Sequence, residues 1–177
     1  MTEKEKYEGI YNSLDSPLGQ AQYSGYRHTF HGKSAIPIIS LKKINSLIDV
    51  GCGHNEFCKH MRKLGVKAVG VDFACKNADL IADAKQLPFE NKAFDFVTAF
   101  DMLEHLKIDE VPIVLTEFAR VSRNFVFSIS YRDSVYKWKG ETLHPTVKPE
   151  NWWIEQITSH GGHNISKQNR YLLGEWR

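Results

Sequence analysis

The stretch Ser46-Leu47-Ile48-Asp49-Val50-Gly51-Cys52-Gly53-His54-Asn55 decides the fold. Its first half is a short apolar run, and two glycines follow at once. A buried strand that breaks into a tight turn reads this way. Residues 55–64 then carry Phe57, Met61 and Leu64 at helical spacing, and Gly65 stops them. The unit is strand, glycine turn, helix.

The same unit continues outward. Lys67-Ala68-Val69-Gly70-Val71-Asp72 reads as a second strand, 80–83 as a very short third and 94–100 as a fourth. Val111, Val114, Leu115 and Phe118 share one face, so 111–121 reads as a helix. Residues 125–129 supply a fifth strand. The polar segment 131–149 reads as a long loop with few burial signals, and such loops are usually functional or mobile. Pro149 is expected in the first turn of a helix through Trp152, Trp153 and Ile157. Residues 165–176 supply one or two last strands. This order predicts an α/β protein, a mostly parallel sheet with helices on both faces. Ligands in such sheets bind at the carboxyl ends of the strands.

Composition narrows the function classes. The 177 residues are 42% hydrophobic and 25% charged, typical of a globular domain. A net charge of +2 lacks the basic excess of a dedicated nucleic-acid binder. No apolar run reaches the length of a membrane span. The polar start, Met1-Thr2-Glu3-Lys4-Glu5-Lys6, does not resemble a signal peptide. Three cysteines, Cys52, Cys58 and Cys75, are too few for a disulfide framework. A cytoplasmic setting is expected. Two thiols without a Cys/His quartet fall short of a closed zinc shell, so no metal site is expected.

Several signals carry chemistry. Gly51 and Gly53 let the backbone approach a ligand closely. Asp72 ends the second strand and can accept two hydrogen bonds from a ribose diol, or simply cap the next segment. Asp83-Ala84-Lys85-Gln86-Leu87-Pro88-Phe89 places another acid after the third strand, able to accept from an adenine amino group. Phe100-Asp101-Met102-Leu103-Glu104-His105-Leu106 follows the fourth. Glu104 and His105 have the makings of an acid–base pair, although such a pair more often caps a helix.

These motifs, in this order over residues 44–130, resemble class I S-adenosylmethionine-dependent methyltransferases of the small-molecule type, with their D-LPF, FD and EHL pattern. The resemblance implies a Rossmann-like methyltransferase fold using S-adenosyl-L-methionine and yielding S-adenosyl-L-homocysteine. It implies that Asp49, Gly51, Cys52 and Gly53 lie against the methionine part of the cofactor. Asp72 would hold the ribose, with Phe73 beside the adenine. Asp83 and Ala84 would meet the adenine edge, and Phe100 and Asp101 the sulfonium side. Asn55 stands where the third glycine is usual; Asn tolerates left-handed backbone. Only residues 73–79 separate the second strand from the third, so the usual helix there is expected to shrink to a turn. The last antiparallel hairpin is expected to be incomplete. The absent third glycine, and a length that leaves no room for a substrate domain, count against a nicotinamide-dependent dehydrogenase.

The chain is thus expected to be one domain, 1–177: a lead-in or cap over 1–43, a cofactor-binding core over 44–130, a substrate-side loop over 131–149, and a last helix and strands over 150–177. Substrate-side candidates are Tyr11, Tyr26, Arg27, His28 and His31 in the lead-in. In the loop they are Tyr131, Arg132, Lys137, Trp138, Lys139 and His144. His144, Tyr131 and His105 are the catalytic candidates; Tyr26, Arg27 and Arg132 are the substrate-binding ones. The strand-four end is Phe100-Asp101-Met102-Leu103, not the Asn-Pro-Pro-Tyr type of DNA amino-methyltransferases, and no cysteine follows a proline. The expectation is methyl transfer to an oxygen or nitrogen of a small acceptor, phosphorylated or sugar-like. Nucleic-acid or protein methylation, or a non-catalytic cofactor-binding partner subunit, are the alternatives.

Overall fold

The computed structural model describes residues 3–14, 32–135 and 137–177. Seven strands form one sheet: β1 (Ser46–Val50), β2 (Lys67–Asp72), β3 (Leu80–Ile81), β4 (Phe94–Phe100), β5 (Ser122–Ser128), β8 (Gly162–Gln168) and β9 (Tyr171–Trp176). Their spatial order is β3-β2-β1-β4-β5-β9-β8. The pairs from β3 to β5 are parallel, and β9 runs antiparallel to β5 and to β8. The order reverses between β1 and β4, and in such sheets this point is where ligands bind.

Alternation along the strands sorts the core into two layers. Leu47, Phe96, Phe100, Val126 and Leu173 face one side. There they meet α2 (Ile36–Ser40) through Ile39, and α3 (Glu56–Lys63) through Phe57, Cys58 and Met61. Ile48, Val97, Phe125, Phe127 and Leu172 face the other side. They pack against α4 (Val111–Val121) and α5 (Glu150–Ser159), whose Trp153 and Ile157 are fully buried.

The structure revises several expectations. The final hairpin is complete, since β8 and β9 pair from Gly162–Trp176 to Gln168–Tyr171, turning at a left-handed Asn169. The run Tyr171, Leu172, Leu173 and Trp176 is buried on both faces, which holds the edge in place. Segment 131–149 is not an open loop. It folds a small hairpin, β6 (Lys137–Trp138) with β7 (Glu141–Thr142), around left-handed Lys139 and Gly140. It also buries Leu143 and Thr146. Leu143 looks isolated in sequence because its partners, Tyr7 and Ile10, come from α1 (Glu3–Leu14). Pro149 caps α5 from extended backbone rather than entering its first turn. β5 starts earlier than expected, at Ser122, and β3 stops at Ile81.

As expected, no helix stands between β2 and β3. Asp72 Oδ1 instead accepts the Ala74 and Cys75 N–H groups, at 2.9 and 2.8 Å, and pins the short turn. Among the described residues no helix is long and apolar enough to cross a membrane.

Candidate active site

The turn after β1 is fixed by backbone contacts. The Gly51 and Cys52 N–H groups both donate to the Val71 carbonyl, at 2.8 and 3.1 Å. Gly51 adopts φ +76°, and a Cβ there would lie 2.4 Å from Met102 Cγ. Asn55 takes φ 65°, the left-handed conformation of the missing glycine, and opens α3. Gly70 on β2 makes room for it: a Cβ at Gly70 would sit 2.1 Å from Asn55 Oδ1.

Acids gather at the strand ends. Asp72 is buried, and its Oδ2 accepts the Gly53 N–H and the Tyr11 hydroxyl, both at 3.1 Å. Asp83 is exposed; its Oδ1 accepts the Lys85 N–H at 2.9 Å. Lys85 Nζ bridges Asp83 at 3.3 Å and Glu110 at 2.6 Å. Asp101 takes φ 50° at the end of β4 and pairs with Arg170. Asp49 accepts the Thr98 hydroxyl at 2.7 Å. Burial pushes the Asp49 carboxyl up to about 7; the Thr98 bond opposes this and the charge of Asp72 adds to it.

The far end is built by side chains distant in sequence. Tyr7 Oη lies 2.6 Å from His105 Nδ1, and its ring meets Phe73 edge-on at 5.3 Å. The His105 and His144 rings stand 4.7 Å apart and nearly perpendicular. Burial, helped by His144 and opposed by the Leu143 carbonyl, drives His105 down to about 3. Glu104 is buried beside it, with Oε1 accepting the Ser130 N–H at 2.9 Å. Burial and the charge of Asp101 raise Glu104 to about 8. Thr146 holds His144 in place: its hydroxyl donates to the Leu106 carbonyl at 2.7 Å and its N–H to the Glu104 carbonyl at 3.3 Å.

One pocket joins these ends. Among the residues expected from sequence, Gly51, Asp72 and Phe73 line it, as do Asp83, Ala84, Asp101 and His105. Gly53 reaches it through its bond to Asp72. Tyr7, Met102 and Glu110 line it too, and sequence reasoning missed them. Tyr7, Ile10 and Tyr11 at helical spacing were the available signal.

Other expected residues lie elsewhere. Phe100 points to the opposite face of the sheet, against Phe57 and Tyr171. Strand alternation dictates this, since Phe96 and Phe100 share a side. Asp49 faces that side as well, under the turn. Cys52 does not line the pocket, and burial raises its thiol strongly. Tyr131 packs on the core and hydrogen-bonds Glu150; burial, then Glu150, raises its phenol. The Arg132 side chain is exposed, while its carbonyl meets His144 Nδ1 at 2.8 Å. Trp138 packs against the α1 cluster, and Lys137 and Lys139 are exposed. Tyr26, Arg27, His28 and His31 lie outside the described residues.

A family model described as a methyltransferase domain matches residues 24–169. The chain belongs to this methyltransferase family. Similar solved structures carry the same fold. One is 1,6-didemethyltoxoflavin-N1-methyltransferase from Burkholderia thailandensis, with 1,6-didemethyltoxoflavin and S-adenosylhomocysteine bound. It is 14% identical at a TM-score of 0.66, over 100% of this chain and 91% of that one. Magnesium protoporphyrin IX methyltransferase from Synechocystis, with S-adenosylhomocysteine bound, is 13% identical at 0.66, over 98% and 93%. An S-adenosylmethionine-dependent methyltransferase from Archaeoglobus fulgidus is 18% identical at 0.67, over 84% and 75%. No curated protein matches by sequence. In this methyltransferase Asp72, Asp83 and Asp101 and the Tyr7–His105 pair open onto one pocket beside the strand-order reversal.

Proposed function

We propose that the protein binds S-adenosylmethionine in this pocket and transfers its methyl group to an oxygen or nitrogen of a small acceptor. The observation that carries the reading is the convergence, on one pocket, of the glycine turn, Asp72 and Asp83 with the Tyr7–His105 pair. The pocket suits an adenosyl group. Gly51 lines it beside Met102, and Asp72 Oδ2 already accepts a hydroxyl, that of Tyr11. Asp72 would hold the ribose, Phe73 one face of the base, and Asp83 and Ala84 its edge. Acidic and aromatic walls favour the cationic sulfonium and ammonium groups.

The bound cofactor supplies a methyl carbon on a sulfonium leaving group. The chain's own residues supply position and proton handling. Tyr7 Oη, which lines the pocket and shares a proton with His105 Nδ1, accepts a hydrogen bond from the acceptor's O–H or N–H, and the Leu143 carbonyl at the ring's other nitrogen fixes His105 behind it. His144 backs that ring. The small-molecule acceptors of the Burkholderia and Synechocystis enzymes support a small acceptor here.

Calorimetry with S-adenosylhomocysteine tests the reading. Micromolar binding, roughly −8 kcal/mol, is expected. Asp83→Ala, an exposed change that spares the core, should weaken it by about 1 kcal/mol. Absence of binding to the unaltered chain, or binding of NADH in its place, defeats the reading.

A further inference from the structure

We propose that Glu104, His105 and His144 form a binding site for one zinc(II) ion at the acceptor end of the pocket. One ligand-type atom from each residue lies within 4.8 Å of the other two. Two imidazoles and a carboxylate are the donor set of catalytic zinc sites that keep one position open.

Glu104 carries the strongest sign. Its side chain is fully buried, and while Oε1 accepts the Ser130 N–H, Oε2 has no hydrogen-bond partner among the described residues. A buried carboxyl oxygen without a hydrogen-bond partner is costly, and a cation in place of its proton supplies one. The imidazoles are oriented as metal ligands usually are, by a bond at the other nitrogen. His144 Nδ1 sits 2.8 Å from the Arg132 carbonyl, so Nδ1 carries the proton and Nε2 the lone pair. His105 Nδ1 is held by Tyr7 at 2.6 Å. The ring's other polar neighbour is the Leu143 carbonyl, and the ion would replace the proton shared with it.

His144 is not a chance surface residue. Buried Leu143 precedes it and buried Thr146, bonded to Leu106, follows it. His105 lines the pocket, so an ion on this triad stands at its wall. The site therefore selects acceptors that offer an oxygen donor, a hydroxyl or carboxylate, to complete the ion's shell. This choice of acceptor rests on the methyl-transfer reading; the ion site itself does not.

The test uses the full chain without an affinity tag. It is titrated with zinc(II) by calorimetry and with cobalt(II) by visible absorption, and S-adenosylhomocysteine is titrated in parallel. One ion per chain and tetrahedral cobalt bands are expected. His144→Ala and Glu104→Gln should each weaken the ion by at least about tenfold, with S-adenosylhomocysteine affinity held within about twofold. His60→Ala, on the far face of α3, should bind zinc like the unaltered chain. If Glu104→Gln does not fold, His144→Ala decides alone. No zinc binding, or binding undiminished in His144→Ala, overturns the site. Zinc binding as expected with no S-adenosylhomocysteine binding sustains the site and sinks the methyl-transfer reading instead.

Discussion

The Tyr11 hydroxyl donates to Asp72 Oδ2 at 3.1 Å, across 61 residues of sequence. The lead-in helix thereby occupies the carboxylate oxygen that a ribose hydroxyl would need. If the cofactor binds as proposed, it competes with α1 for one acceptor. Tyr11→Phe should remove the competitor and tighten S-adenosylhomocysteine by up to about tenfold, since a hydrogen bond to a charged group is worth about 1.5–3 kcal/mol. Titration calorimetry reads the change directly. Weaker binding in the variant would mean that Tyr11 assists the cofactor rather than displacing it.

Asp49 gives a pH prediction with a definite sign. Its folded pKa is raised from 3.8 to about 7. A raised carboxyl is neutral in the folded state while the unfolded chain has already ionised. The stability it confers is whole below about pH 4 and lost as pH climbs through 7. Between those two values the loss is ~1.4 kcal/mol per pH unit. Asp49→Asn should flatten this decline. Thermal denaturation of both chains from pH 4 to 8 checks it, and parallel curves would refute it.

Tyr7→Phe removes the hydroxyl beside His105 while keeping the ring against Phe73. Turnover on an identified acceptor should fall by roughly 10²-fold, the lower end for acid–base assistance. S-adenosylhomocysteine affinity should stay nearly constant. A rise in KM with an unchanged kcat would reassign Tyr7 to acceptor binding.

Gly70→Ala places a methyl 2.1 Å from Asn55 Oδ1 and 2.9 Å from Cys52 Sγ. Overpacking of this kind costs about 1–3 kcal/mol. Displacing Asn55 also disturbs the left-handed start of α3, so cofactor affinity should fall along with the melting temperature. A melting temperature equal to that of the unaltered chain would show that the turn yields freely.

The sequence and the structure agree where chemistry is local. Val50, Gly51 and Gly53, or Asp72 and its capped turn, lie within a few residues of one another, and propensity and patterning determine them together. The core helix 111–121 follows from its apolar spacing alone. The acceptor end is different. Tyr7 meets His105 across 98 residues, and Leu143 finds its cover on α1. No periodicity in segment 131–149 records a partner at the other end of the chain, so that segment reads as loop. Phe100 shows a second limit. Its motif position suggests the pocket, but the parity of β4 sends its side chain to the other face.

The contacts between α1 and segment 137–146 also bear on how the protein is made. Lys6 Nζ reaches the Thr142 carbonyl across 136 residues, at 3.2 Å. Synthesised at about 5–20 residues per second, the first helix waits on the order of ten seconds for its seat. During that interval the helix can reach Phe73, Asp72 and His105 but not Leu143 or Thr142. The cover that α1 and segment 137–146 form together cannot close until residue 146 has been made. Nascent chains stalled before residue 140 should leave α1 open to protease, and chains stalled well beyond 146 should protect it.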